Sequence, residues 1–109
     1  MGVDVVLVVA TNPGTGPRRR RVRPVAVFLD ETGGFADLCR ESGSAMLQRV
    51  DPYRTLILTS SEMEQFVAEI EAAKSHSDEG TKRAILTEIA NLAVRCAQDC
   101  RTELHLEGD

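Results

Sequence analysis

Apolar residues recur along this chain with distinct rhythms. From Val3 to Val9 every position except Asp4 is apolar and most are β-branched, which suits a strand buried on both faces better than a helix of 3.6-residue period. Pro24-Val-Ala-Val-Phe-Leu-Asp30 reads the same way. Between the two runs, residues 11 to 23 open with Thr11-Asn-Pro-Gly-Thr-Gly-Pro17, long for a hairpin connection. Pairing of the flanking strands would put the arginines that follow at the tip or shoulder of a long hairpin.

A helical rhythm begins after Gly34, where Phe35, Leu38 and Cys39 share a face and Asp37 lies near the positive end of the helix dipole. Gly43 suits the residue just past a helix end. Ser44 to Val50 fits either another helical turn or extended chain. Asp51-Pro52-Tyr53 signals a turn, and Thr55 to Leu58 a third strand. Ser61 to Glu64 matches a Ser-x-x-Glu capping box ahead of Met63, Phe66, Val67 and Ile70, which predicts a helix to about Lys74. After the polar linker Ser75 to Gly80, Ile85, Ile89, Leu92, Ala93 and Cys96 predict a second long helix reaching Gln98 or Cys100. Two helices so joined should pack antiparallel. Thr102 to Glu107 alternates strictly, with Leu104 and Leu106 on one face and Glu103, His105 and Glu107 on the other, a half-buried closing strand. The expected class is α+β. A small mixed or antiparallel sheet of about four strands is covered on one face by two longer antiparallel helices and one short helix.

Length and charge sharpen this picture. The 109 residues, 42% of them apolar, make a single domain over residues 1–109. The net charge of -4 conceals a division: without Arg18, Arg19, Arg20, Arg21 and Arg23, eight basic and 17 acidic residues leave -9. Repulsion among five close arginines favours an extended, flexible loop over residues 11–23. No apolar run approaches a membrane span. Asp4, with no Lys or Arg, precedes the first apolar run, unlike a secretory signal. Three cysteines are an odd count for a disulfide scaffold. A cytoplasmic setting is the expectation.

Candidate chemistry is sparse. Asn12-Pro-Gly-Thr-Gly16 lacks both the Gly-Lys-Ser/Thr end of a P-loop and the third glycine of a dinucleotide fingerprint. Cys96, Cys100 and His105 lack paired metal knuckles, and Cys96 falls on an apolar helix face where a thiol packs as a small hydrophobe. No metal, cofactor or nucleophilic triad is expected. His105 is expected as a solvated surface histidine between two carboxylates. The anomalies are the charges. Glu62, Glu64, Glu69 and Glu71 have no basic residue between them to neutralise them at helical spacing, and such a face attracts a basic partner. The arginine run suits a partner-facing loop or, as the alternative, a nucleic-acid arm with steep salt dependence. A small-ligand site near Tyr53 and His105 is a third class. The strand 102–107 would also offer an edge for pairing with a second copy.

Residues 45 to 109 resemble a group of small proteins common in actinobacteria. The resemblance rests on Val50-Asp-Pro-Tyr53, Met63 to Glu71, Leu92-Ala93 with Cys96, and the closing Leu104-x-Leu106-x-Gly108-Asp109. In that group an Asp-Pro-Tyr turn, two helices and a strand ending in Gly-Asp recur. Arg54 stands where the group often has Gly, and the arginine-rich hairpin is a further departure. The resemblance implies a bacterial cytoplasmic setting and a standalone domain, and carries no site residue over. Size, charge and the lack of catalytic motifs favour a non-enzymatic protein-binding module. Its expected type is an immunity or antitoxin-like protein that occludes a toxin or other basic protein through Glu62, Glu64, Glu69, Glu71, Tyr53 and the arginines.

Overall fold

A computed structural model describes residues 2–11, 21–77 and 80–108. Its elements run β1 (Asp4–Thr11), β2 (Arg21–Phe28), α1 (Gly34–Glu41), β3 (Thr55–Thr59), α2 (Met63–Ser75), α3 (Gly80–Ala97) and β4 (Thr102–Glu107). The strands form one antiparallel sheet in the order β2-β1-β4-β3, so the expected α+β class stands. Leu7 sits between Ala26 and Leu104, and Leu58 beside Leu104. Val5, Leu7, Leu58, Leu104 and Leu106 therefore share one sheet face. They join Phe35, Met63, Phe66, Ile70, Leu86, Ile89 and Cys96 from the helices in a single buried cluster.

The position of each strand corrects two expectations. β2 is not buried on both faces: it is an edge strand, exposed along most of its length. Pro24 is tolerable there because an edge position need not donate to a ladder, and a register shift opposite Leu7 and Val8 leaves Val25 in a bulge. β4 is not an edge but a central strand, between β1 and β3. His105 is consequently 8% exposed and not a solvated surface histidine. Its face is filled by the neighbours Val6 and Ile57.

Local chemistry explains the remaining boundaries. The β1–β2 ladder extends to Thr11 opposite Arg21, so Thr11 and Arg21 to Arg23 belong to strands and not to the connecting loop. Gly43 stands just past the Ser42 C-cap of α1, as expected, but is not left-handed, because Ser42 already turns the chain to an extended path. Among the described residues the left-handed glycine is Gly33, with φ of 74°, at the other end of that helix. The ambiguous segment 44–50 contains one tight helical turn, Leu47–Arg49. The capping box lies two residues earlier than Ser61 to Glu64. It joins Thr59 and Glu62, the Thr59 N–H donating to Glu62 Oε1 at 2.9 Å, and a tight turn over Ser60–Glu62 leads into α2. At the other end of β3 the Asp-Pro-Tyr turn meets the closing glycine. Gly108 N–H donates to the Arg54 carbonyl at 2.9 Å, and a Cβ at Gly108 would collide with the backbone of Asp51 and Pro52.

Candidate protein interface

The α1, α2 and α3 layer buries one sheet face; among the described residues no helix covers the other. By register that side carries Val6 and Val8 of β1, Val22, Pro24 and Val27 of β2, Ile57 of β3, and Glu103, His105 and Glu107 of β4. Its centre is filled, Val8 and His105 being buried, while its margins are not. Val22 is 46%, Val27 55% and Ile57 44% exposed, and Leu29, just past β2, is 54% exposed. Single exposed apolar residues are ordinary, but several on one sheet side, on its two edge strands with carboxylates between them on central β4, offer a partner apolar contact. The carboxylates are Glu107, exposed, and Glu103, whose Oε1 lies 3.0 Å from His105 Nε2.

The four glutamates expected to act together have separate roles. Glu62 closes the capping box and lies 3.8 Å from Arg49. Glu69 accepts the Met46 and Leu47 N–H groups at 2.9 and 3.1 Å and the Gln65 amide at 2.9 Å, so it caps the turn ahead of Val50. Glu64 and Glu71 alone remain exposed, two turns apart on α2. Arg21 and Arg23 are exposed on β2, at register positions on the helix side of the sheet. Arg18, Arg19 and Arg20 lie outside the described residues. Tyr53 is 64% exposed and borders a surface hollow of about 500 Å³ against α1, lined also by Asp37, Cys39, Arg40 and Val50. His105 does not line it, so the structure does not bring Tyr53 and His105 together. Asp37 and Arg40, both lining the hollow, pair at 2.9 Å.

Other titratable groups are held by the fold. Burial, with a smaller contribution from the Asp30 charge, pushes the Cys39 thiol up to about 12. Burial likewise raises Cys96. Such thiols stay protonated and inert, whereas Cys100 is exposed and all three cysteines are free. Arg101 binds both carboxylate oxygens of Asp99, at 3.1 and 3.0 Å, and this bonding holds Asp99 below the ordinary carboxylate range. Among the described residues no group of three or more His, Cys, Asp or Glu is placed to hold a metal, and no helix is long and apolar enough to cross a membrane.

The residue that sequence reasoning missed is Asp30. It is 5% exposed and receives three backbone N–H groups at 3.0 Å each: Val3, Phe35 and Ala36. Its own N–H donates to Asp4 Oδ1 at 2.9 Å. One carboxylate thus satisfies the first turn of α1 and ties it to the chain entering β1. Gly2 packs so closely on the Asp30 backbone that a side chain there would collide with it. The signal available in the sequence was an aspartate ending an apolar run five residues before the first helical apolar position.

Comparison of the chain with protein-family models, with curated proteins and with solved structures gives no match.

Proposed function

We propose that this protein is a non-enzymatic protein-binding module of the immunity or antitoxin type, which neutralises a basic partner by covering it. The observation that carries the reading is the sheet side away from the helices, where Val22 and Val27 on β2 and Ile57 on β3 stay half-exposed and Glu107 is exposed on β4 between those edge strands. Apolar contact there supplies affinity, and the acidic body supplies attraction. Of the α2 glutamates, Glu64 and Glu71 contribute to that attraction, since Glu62 and Glu69 are occupied in capping. Three unpaired cysteines and the resemblance of residues 45 to 109 to small actinobacterial proteins support a cytoplasmic setting.

Affinity capture with the tagged chain against the products of adjacent genes tests the proposal. A basic protein should be retained at micromolar concentration. Val27→Asp should weaken the complex at least about tenfold, mainly through dissociation. The pair Glu64→Gln with Glu71→Gln should instead slow association a few-fold, and only at low salt. Failure to retain any protein would reject the module. Retention of nucleic acid, lost steeply with salt, would favour the arginine-based regulator instead, since Arg21 and Arg23 lie exposed on one side of β2.

A further inference from the structure

The two edges of the sheet are built differently. An exposed edge presents unpaired N–H and C=O groups to any other strand, and proteins commonly guard it with proline, bulges and charge. β2 has all three: Pro24, the bulge at Val25, and Arg21 with Arg23. β3 has none. Thr55-Leu-Ile-Leu-Thr59 contains no charge, proline or glycine, and every residue but leucine is β-branched.

Its hydrogen-bond phase can be read from one contact. Gly108 donates to the Arg54 carbonyl, which makes 54 and 108 a hydrogen-bonded pair, and such pairs alternate along an antiparallel ladder. Leu56 and Leu58 therefore bond toward β4, and the N–H and C=O groups of Thr55 and Ile57 point away from it. Thr59 N–H, the next in that phase, goes to Glu62 instead. Among the described residues no backbone group outside the strand ladders bonds to Thr55 or Ile57.

The segment also reads the same in both directions. We propose that β3 pairs antiparallel with β3 of a second copy of this chain, about a two-fold axis at Ile57, joining two four-stranded sheets into one of eight. A two-fold interface must be self-complementary, and a palindromic strand is so in this register. Ile57 meets Ile57 and exchanges two N–H···O=C bonds. Leu56 meets Leu58 on the helix-covered face, and Thr55 meets Thr59 on the other, a favourable cross-strand pair. A one-residue slip would send leucines to the wrong face. The register also sets Arg54, whose side chain is 85% exposed, opposite Ser60 of the second copy, the first residue of the turn that carries Glu62 and leads to Glu64 on α2. The association needs no other protein, so it stands or falls separately from the partner reading.

Sedimentation velocity over a dilution series, with two sets of variants, tests it. The unaltered chain should show a concentration-dependent monomer–dimer equilibrium. Ile57→Lys, which sets two ammonium groups facing each other at the axis, should weaken it at least about tenfold, and Val27→Lys on the other edge should leave it unchanged. In a Cys100→Ser background, Ile57→Cys should cross-link between copies under mild oxidation, because facing residues of a hydrogen-bonded pair lie about 5.5 Å apart at Cα, within disulfide range. Val27→Cys should not cross-link. The cross-linking arm decides the matter if Ile57→Lys fails to fold. A monomer up to about millimolar concentration overturns the proposal, as does a dimer that Ile57→Lys leaves intact or that cross-links only through position 27.

Discussion

Each edge strand of this sheet leads to a helix, β2 through residues 29–33 and β3 through the tight turn Ser60–Glu62, and at each junction a carboxylate takes backbone groups that the turn frees. After β2 the carboxylate is Asp30, 5% exposed and holding three N–H groups from two separate stretches of chain. After β3 it is Glu62, with a side chain 36% exposed, which accepts the N–H and the hydroxyl of Thr59, only three residues away. The first junction ties together residues 27 apart in sequence, Val3 and Asp30; the second ties a single turn to itself. A buried acceptor serving distant donors fixes tertiary structure, whereas an exposed one serving a neighbour only sets where a helix begins. The guarded edge is thus also the firmly anchored one. The unguarded edge is fastened locally and leaves its outward backbone groups available.

The largest expected effect comes from removing the buried cap. Asp30→Ala strands the N–H groups of Val3, Phe35 and Ala36, two of them on residues with no exposure at all, and water has little room to replace the carboxylate. An unsatisfied buried donor costs about 1 to 3 kcal/mol, so the total should reach roughly 3 kcal/mol once relaxation is allowed. In a domain of this size that lowers the melting temperature by on the order of 15 °C. Urea titration followed by far-UV circular dichroism measures it. A loss below about 1 kcal/mol would mean that the junction does not depend on Asp30, and the contrast with Glu62 would collapse.

Alkaline pH probes the same buried junction without mutation. Cys39 sits in α1 with its thiol raised to about 12 by burial and, secondarily, by Asp30, while the unfolded chain ionises near its ordinary value of 9.0. The folded state therefore holds a proton that the unfolded state has released. Stability should be unaffected below about pH 9 and fall as pH rises from there toward about 12, with a limiting slope of about 1.4 kcal/mol per pH unit from this group. Cys39→Ala should flatten that slope. Equal slopes in the two proteins over pH 9 to 11 would show that Cys39 is not the group responsible. In the native protein a thiol reagent should modify Cys100 quickly, and Cys39 and Cys96 only on unfolding.

The hydrophobic rhythm carried most of the fold, because each element has one apolar face and a core to bury it in. Leu104 and Leu106 predicted the β4 face, and Phe66 with Ile70 the α2 face, from spacing alone. What spacing does not encode is strand order. The alternation of Thr102 to Glu107 is the same for an edge or a central strand, so neither the burial of His105 nor the edge position of β2 is legible in it. The acidic helix illustrates a different limit. Glu62, Glu64, Glu69 and Glu71 are one chemical type in one stretch, yet the fold sends Glu69 to Met46 and Leu47, 23 and 22 residues away in sequence. For Glu69, only partners distant in sequence separate the capping carboxylate from a surface one. Asp30 is hidden in the sequence for the same reason, since two of its three donors are local but the third is Val3.

The smallest effect tests the other half of the comparison. Glu62→Ala removes the bonds from the Thr59 N–H and hydroxyl, which lie at the surface, where water can take over the freed groups. Capping interactions of this kind contribute about 0.5 to 1 kcal/mol, and the contact of Glu62 with Arg49 at 3.8 Å between exposed side chains adds little. The expected loss is therefore about 1 kcal/mol at most, roughly a third of that for Asp30→Ala, measured by the same urea titration. Glu62→Gln should recover most of it, because the amide oxygen still accepts from Thr59 N–H. Should Glu62→Ala prove as costly as Asp30→Ala, burial and sequence separation would not be what divides the two caps, and the β3 edge would be as firmly anchored as β2. Freeing Thr59 N–H also adds an outward donor to β3. A modest tightening of self-association in Glu62→Ala, alongside its lower stability, would follow from the same geometry.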